Sequence, residues 1–333
     1  MSADFLVWLV SALAAMPTPA NVRAATDRAL PLLLKAAEGH IGKQTCFACH
    51  NQALPMLAFH AARERGFTVK DEDLKEQTDF IGDFLKRNKE KFLKGEGTGG
   101  QVDTAGYALL ALELGGRKPD DVTTAVVEYL LKYPKDKDHW RAVSNRPPSE
   151  ASHFTTTYLA IRGLRMWGTA AQAESIAKRI ESAREWLQKT RAKDTEDRVF
   201  RLMGLKESGA KDEGIREAAQ VLLKSQRADG SWSQLDDKPG DAYATGSALV
   251  ALHRAGGLAT CDSAYRRGLW FLMRTQAADG SWLVKSRSKP FQPYYESGFP
   301  YEHDQFISAT ASGWATAALA AACELKSETV GTR

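Results

Sequence analysis

REAAQVLLKSQRADGSW, residues 216–232, and RRGLWFLMRTQAADGSW, residues 266–282, are two copies of one pattern. Gln226 and Gln276 are 50 positions apart, and so are Trp232 and Trp282. In each copy apolar residues recur at helical spacing up to the glutamine, and Asp-Gly-Ser-Trp follows. The glycine is expected to end the helix, because it takes a left-handed backbone at no steric cost. The tryptophan is expected to fold back onto the helix pair.

Weaker copies lie upstream. AVVEYLLKYPKDKDHW places Trp140 six residues after Pro134, the step that separates Gln226 from Trp232. Each such helix is followed by a second one rich in small residues, for example DAYATGSALVALHRAGG at 241–257 and SATASGWATAALAAACE at 308–324. Six helical hairpins result. Their first helices are expected near 23–37, 72–91, 120–133, 173–190, 212–226 and 262–275. Their second helices are expected near 51–65, 103–114, 153–167, 194–207, 241–255 and 305–323. Repeats of this length form an open solenoid or a closed ring. Small residues on the second helices favour a ring, since an inner circle of helices packs closely. No stretch alternates with period two as a strand does. The expected fold is all-α, a single α/α toroid over residues 21–327 with a disordered tail at 328–333.

The segment Arg267-Gly268, Phe271-Leu272, Gln276, Gly280, Trp282 resembles the QW repeat of the squalene–hopene cyclase and prenyltransferase α/α-toroid superfamily. Ala219 to Trp232 is similar. The resemblance runs from about residue 25 to 325 and is strong after 210. More narrowly, CFACHNQALPMLAFHAARERGF and FPYEHDQFISATASGWATAALA resemble bacterial repeat proteins of this superfamily that carry a CxxCH near the amino terminus. The activities of the superfamily do not follow from this. Class II terpene cyclases protonate their substrate from an Asp-x-Asp-Asp motif, and the chain has none; Asp236, Asp237 and Asp241 of LDDKPGD have other spacing. The zinc prenyltransferases need Asp, Cys and His on one metal, and Cys261 and Cys323 have no matching partners. A shared fold does not carry a shared function.

Cys46, Cys49 and His50 form the c-type haem signature. Two thiols add to the haem vinyl groups, and the adjacent imidazole ligates iron from the proximal side. Haem c is therefore expected on Cys46 and Cys49, with His50 as the iron ligand. A dithiol redox site would want a β-α-β context, and a zinc site would need a fourth ligand. The long loops at 38–50, 92–102, 134–152, 228–240 and 276–304 all join a first helix to a second, so they share one rim. In a closed ring hairpins one and six are neighbours, which sets FPYEHDQF beside CFACH. His303 is accordingly the candidate distal ligand, or else a loop or cap residue. His153 lies across the ring. His60 is ten residues from His50, about 15 Å of helix rise. Met56 reads as core. Cys261 and Cys323, at the opposite rim, form a disulfide or remain free thiols. Phe47, Phe291, Tyr294, Tyr295, Phe299 and Tyr301 wall a haem or an apolar ligand, or pack the loops.

The remaining composition narrows the partners. The 333 residues carry a net charge of +4 with no basic stripe, which argues against nucleic acid. Phe5–Met16 is an apolar run too short to span a bilayer. With the small residues near Ala20 it reads as a signal peptide over 1–20, though its first four residues carry no positive charge. The expectation is a periplasmic or otherwise exported haem protein with a redox partner protein, and no membrane span after cleavage. The alternative is a cavity enzyme or binding protein for a hydrophobic isoprenoid or a glycan, without haem. Asp103, Asp241 and Asp304 are its candidate acids.

Overall fold

The structure is a computed structural model that describes residues 17–133, 138–290 and 293–324. Phe5–Met16, Pro134, Phe291 and the tail at 328–333 lie outside the described residues. Among the described residues no strand occurs and no helix is long and apolar enough to cross a membrane.

Among the described residues thirteen α-helices follow one another: α1 (Pro19–Ile41), α2 (Leu54–Arg63), α3 (Asp71–Arg87), α4 (Lys89–Leu93), α5 (Gln101–Leu114), α6 (Asp121–Lys132), α7 (His153–Trp167), α8 (Ala173–Lys189), α9 (Thr195–Glu207), α10 (Asp212–Lys224), α11 (Ala242–Arg254), α12 (Ser263–Thr275) and α13 (Gln305–Ala321). All twelve expected helices are present. One expected helix, 72–91, is broken at Asn88, whose side chain turns back to the carbonyl of Phe84. Helix α1 begins at Pro19, capped by the Thr18 hydroxyl, which accepts from the Asn21 amide.

The second helices α2, α5, α7, α9, α11 and α13 pack in that order, and α13 returns onto α2. The ring is therefore closed. The first helices form the outer layer and are amphipathic, whereas α11 and α13 are buried on nearly every side. Small residues make the inner contacts. A Cβ on Gly246 would stand 2.7 Å from the Ala315 amide nitrogen, and one on Gly313 would stand 2.7 Å from the Leu54 carbonyl oxygen.

The QW segments are straps between neighbouring hairpins. The indole of Trp232 donates to the Leu222 carbonyl at 2.9 Å, that of Trp282 to Leu272 at 2.7 Å, and that of Trp140 to Leu130 at 2.9 Å. Their backbone amides donate to hydroxyls of the following inner helix: Thr245, Ser312 and Thr157. Gln276 donates to the Gly280 and Ala25 carbonyls, tying hairpin six to hairpin one. The glycine does not end the helix as expected. Helix α12 ends at Thr275, and Gly280 comes five residues later in the strap, at φ +91° and against the Arg28 carbonyl. Its missing side chain lets the strap touch the neighbouring helix.

The lumen is filled in its middle. Tyr107, Tyr158, Phe200 and Trp314 pack there, leaving about 80 Å³ lined by all six inner helices. Larger cavities lie at the rim of the long loops.

Candidate functional site

Residues 49–53 form one wide turn at the head of α2, closed by a bond from the Leu54 amide to the Cys49 carbonyl. Wide turns of this kind recur at functional sites. This one seats the Cys-His pair. Cys46 is exposed and Cys49 is buried. His40, on α1, fixes the approach: its Nε2 donates to the Cys46 carbonyl at 2.7 Å, so its Nδ1 accepts from the Tyr295 hydroxyl at 2.7 Å.

The Cys49 thiol donates to Glu150 Oε1 at 2.6 Å. Burial, with the carboxylate beside it, pushes that thiol well above its ordinary range, so it is not an activated thiolate. Glu150 pairs with Arg146, and the two backbones exchange hydrogen bonds of 3.1 Å across the Pro147–Ser149 turn. The His50 ring stands 4.8 Å from Phe306, and its Nδ1 is 3.9 Å from the Cys49 sulfur. Its Nε2 is sealed from solvent and has no partner. Burial first, then the neighbouring His40 and Arg146, lower its pKa to about 3, so the ring is neutral near pH 7.

Two cavities meet at His50, Arg146 and Glu150. The first, about 310 Å³, has an apolar wall of Phe306, Ile307, Tyr294, Pro147, Pro290 and Pro293, with His303 and Lys289 among its polar residues. The second, about 470 Å³, takes in Cys46, Cys49, Phe47, Phe84, Thr98 and Asp103. Asp103 is 1% exposed. One of its oxygens accepts from the Thr156 hydroxyl, and the other has no partner. Burial, reinforced by Glu150 and opposed by Thr156 and Arg146, brings its pKa to about 7.

The long loops share a rim as expected, and His303 lies with His50 on the walls of one cavity. His303 itself is exposed and packs against Tyr294, ring centroids 4.5 Å apart and planes tilted by 45°. The two residues before it, Tyr301 and Glu302, hold φ of +81° and +46°. Of the candidate acids only Asp103 lines these cavities. Asp241 caps α11 by accepting from the Ala244 amide, and Asp304 holds Lys285 and the Ser286 amide. His60 pairs with Glu64, Met56 is core, and His153 accepts from the Ala142 amide. Cys261 and Cys323 are free thiols. Phe299 is buried packing, and Tyr301 bonds Ser281. Among the described residues no three His, Cys, Asp or Glu side chains gather as a metal site.

Arg146 and Glu150 were not legible in the sequence. They belong to a long loop whose only mark is the Pro147-Pro148 pair, and a turn signal carries no chemistry.

Residues 167–332, just under half of the chain, match the family model of the squalene–hopene cyclase C-terminal domain. Among solved structures, a variant of the type II terpene cyclase MstE from Scytonema, in complex with merosterolic acid A as product, superposes with a TM-score of 0.58. That match has 15% identity over 91% of this chain and 98% of the cyclase. The apo form of MstE gives 0.43, also at 15% identity, over 91% of this chain and 98% of that one. A possible member of the GH105 family from Klebsiella pneumoniae subsp. pneumoniae MGH 78578 gives 0.46 at 11% identity, over 92% and 93%. The last two scores add no argument. No curated protein matches the chain. The chain thus has the squalene-cyclase-like α/α-toroid fold, and at these identities the likeness concerns the fold alone.

Proposed function

We propose that the protein binds a small apolar molecule with one polar end in the rim cavity over Phe306. One observation carries this reading. A concave apolar wall ends at His50, whose Nε2 has no partner, and at the Arg146–Glu150 pair. Such a cavity, with few convergent polar groups, is the usual form of a ligand site. The MstE variant of similar fold holds a product in its own structure, which agrees with a toroid that houses small molecules. The filled middle of the lumen keeps the ligand at the rim. The Arg146 and Glu150 side chains orient its polar end, and Phe306 and Ile307 take its apolar body. Farnesol, added to the purified protein, should raise the melting temperature. Phe306→Ala should weaken that binding roughly tenfold, from the apolar surface lost. Absence of any shift with farnesol and with a sterol would overturn the reading.

A second reading is favoured by the placement of Cys46, Cys49 and His50 on one cavity with the imidazole Nε2 unspent. In it the protein is exported and carries haem c for electron transfer to a partner protein. The donor set fits the group: two thiols and a neutral imidazole. Cys46 and Cys49 would hold it through thioether bonds, which requires the Cys49 thiol to leave Glu150, and His50 would face the iron. Haem supplies one-electron chemistry when bound. Expression with a cytochrome c maturation system decides between the readings. A Soret band retained after denaturation supports haem, and a colourless protein from cells that mature control cytochromes excludes it.

A further inference from the structure

The cavity of about 470 Å³ differs in kind from its apolar neighbour. Three buried polar atoms without partners belong to residues on its wall: Asp103 Oδ2, Thr98 Oγ1 and His50 Nε2. Buried polar groups are nearly always bonded, so three orphans on residues of one wall are groups that a small side-chain turn offers to a partner inside the cavity. The cavity also presents Gln44, Asn88 and Lys91, and the phenyl rings of Phe47 and Phe84, whose centroids are 6.3 Å apart.

Charge narrows the class of ligand. Arg146 and Glu150 neutralise each other, and the Cys49 thiol is spent on a hydrogen bond to Glu150. Lys91 is the one further basic side chain on this wall. No cation cluster is present to hold a phosphate or a polycarboxylate, and no acid cluster to hold a divalent metal. The unspent groups are a carboxyl oxygen, a hydroxyl and an imidazole nitrogen, each able to bond a hydroxyl. The aromatic residues offer surface to the C–H face of a ring.

We infer that this second cavity is a binding site for a neutral polyhydroxylated molecule of mono- or disaccharide size, held by Asp103, Thr98 and His50. The site shares His50 with the apolar cavity, whereas Asp103 and Thr98 belong to this one alone. The ligand's hydroxyls donate to Asp103 Oδ2 and His50 Nε2, and Thr98 bonds a third.

Titration calorimetry of the full chain with glucose, trehalose and cellobiose tests this, with inorganic phosphate and farnesol as contrasting probes. At least one of the three neutral sugars should bind, and phosphate should not. Thr98→Val, in a loop, should weaken that binding several-fold, and Asp103→Asn tenfold or more, the larger loss following from the carboxyl's stronger bond. Farnesol binding should be unchanged in both, which also shows that the variants are folded. No sugar binding at tens of millimolar would overturn the inference and leave the cavity to water. Sugar binding that survives both substitutions, or a covalent haem found in the purified protein, would overturn it as well.

Discussion

Asp103 shows how one residue's burial becomes a property of the protein. Its carboxyl is ionised in an unfolded chain above about pH 4, yet the fold holds its pKa to about 7. Between those values the folded state keeps a proton that the unfolded state has lost. Stability from this residue is therefore full below about pH 4 and falls as pH rises through 7. Burial is the largest cause of the rise; Thr156 and Arg146 oppose it and Glu150 adds to it. Asp103→Asn should remove this slope. We expect the variant to gain on the wild type by roughly 1.4 kcal/mol per pH unit between pH 5 and 7, read from urea unfolding at several pH values. An unchanged difference across that range would show that Asp103 is not held neutral.

At the scale of elements, the inner helices are defined by what they lack. Gly313 on α13 lies where a Cβ would meet the Leu54 carbonyl at 2.7 Å, so Gly313→Ala forces two inner helices apart. Gly214, on the outer helix α10, has nothing within 4 Å. Gly214→Ala should stabilise the protein by up to about 1 kcal/mol through helix propensity. Gly313→Ala should destabilise it by about 1–3 kcal/mol through overpacking. Thermal unfolding of the pair checks the claim, because the same substitution changes sign with the layer it occupies. The sequence made the layers legible: the QW copies marked outer helices and the small-residue runs marked inner ones. The break at Asn88 was not legible, because the helical pattern continues across it and one side chain's bond to Phe84 decides it.

For the whole molecule the decisive bond is the last strap. Gln276 reaches the Ala25 carbonyl at 2.9 Å, and Arg28 returns a bond to Gln276 at 2.6 Å. These residues are 251 and 248 positions apart, so they close the circle. Gln226 makes the equivalent bond to the Ala264 carbonyl, but between hairpins already adjacent in sequence. Gln276→Ala should cost about 1–3 kcal/mol and increase amide exchange along α1, whereas Gln226→Ala should leave exchange in α1 unchanged. Equal exchange in both variants would show that closure rests on the packing of α13 against α1 and α2 instead.

The sequence by itself determined the ring. A repeat states its helix pair several times, and helical periodicity, strap tryptophans and small residues are local signals. It also placed the Cys46–His50 segment beside His303, because ring closure fixes which loops are neighbours. Only the tertiary structure decided what surrounds them. That the Cys49 thiol meets Glu150, 101 residues away, depends on how two long loops fold over the rim. So do the sealed Nε2 of His50 and the unspent oxygen of Asp103. Burial and partnership are sums over distant residues, and no stretch of sequence carries them.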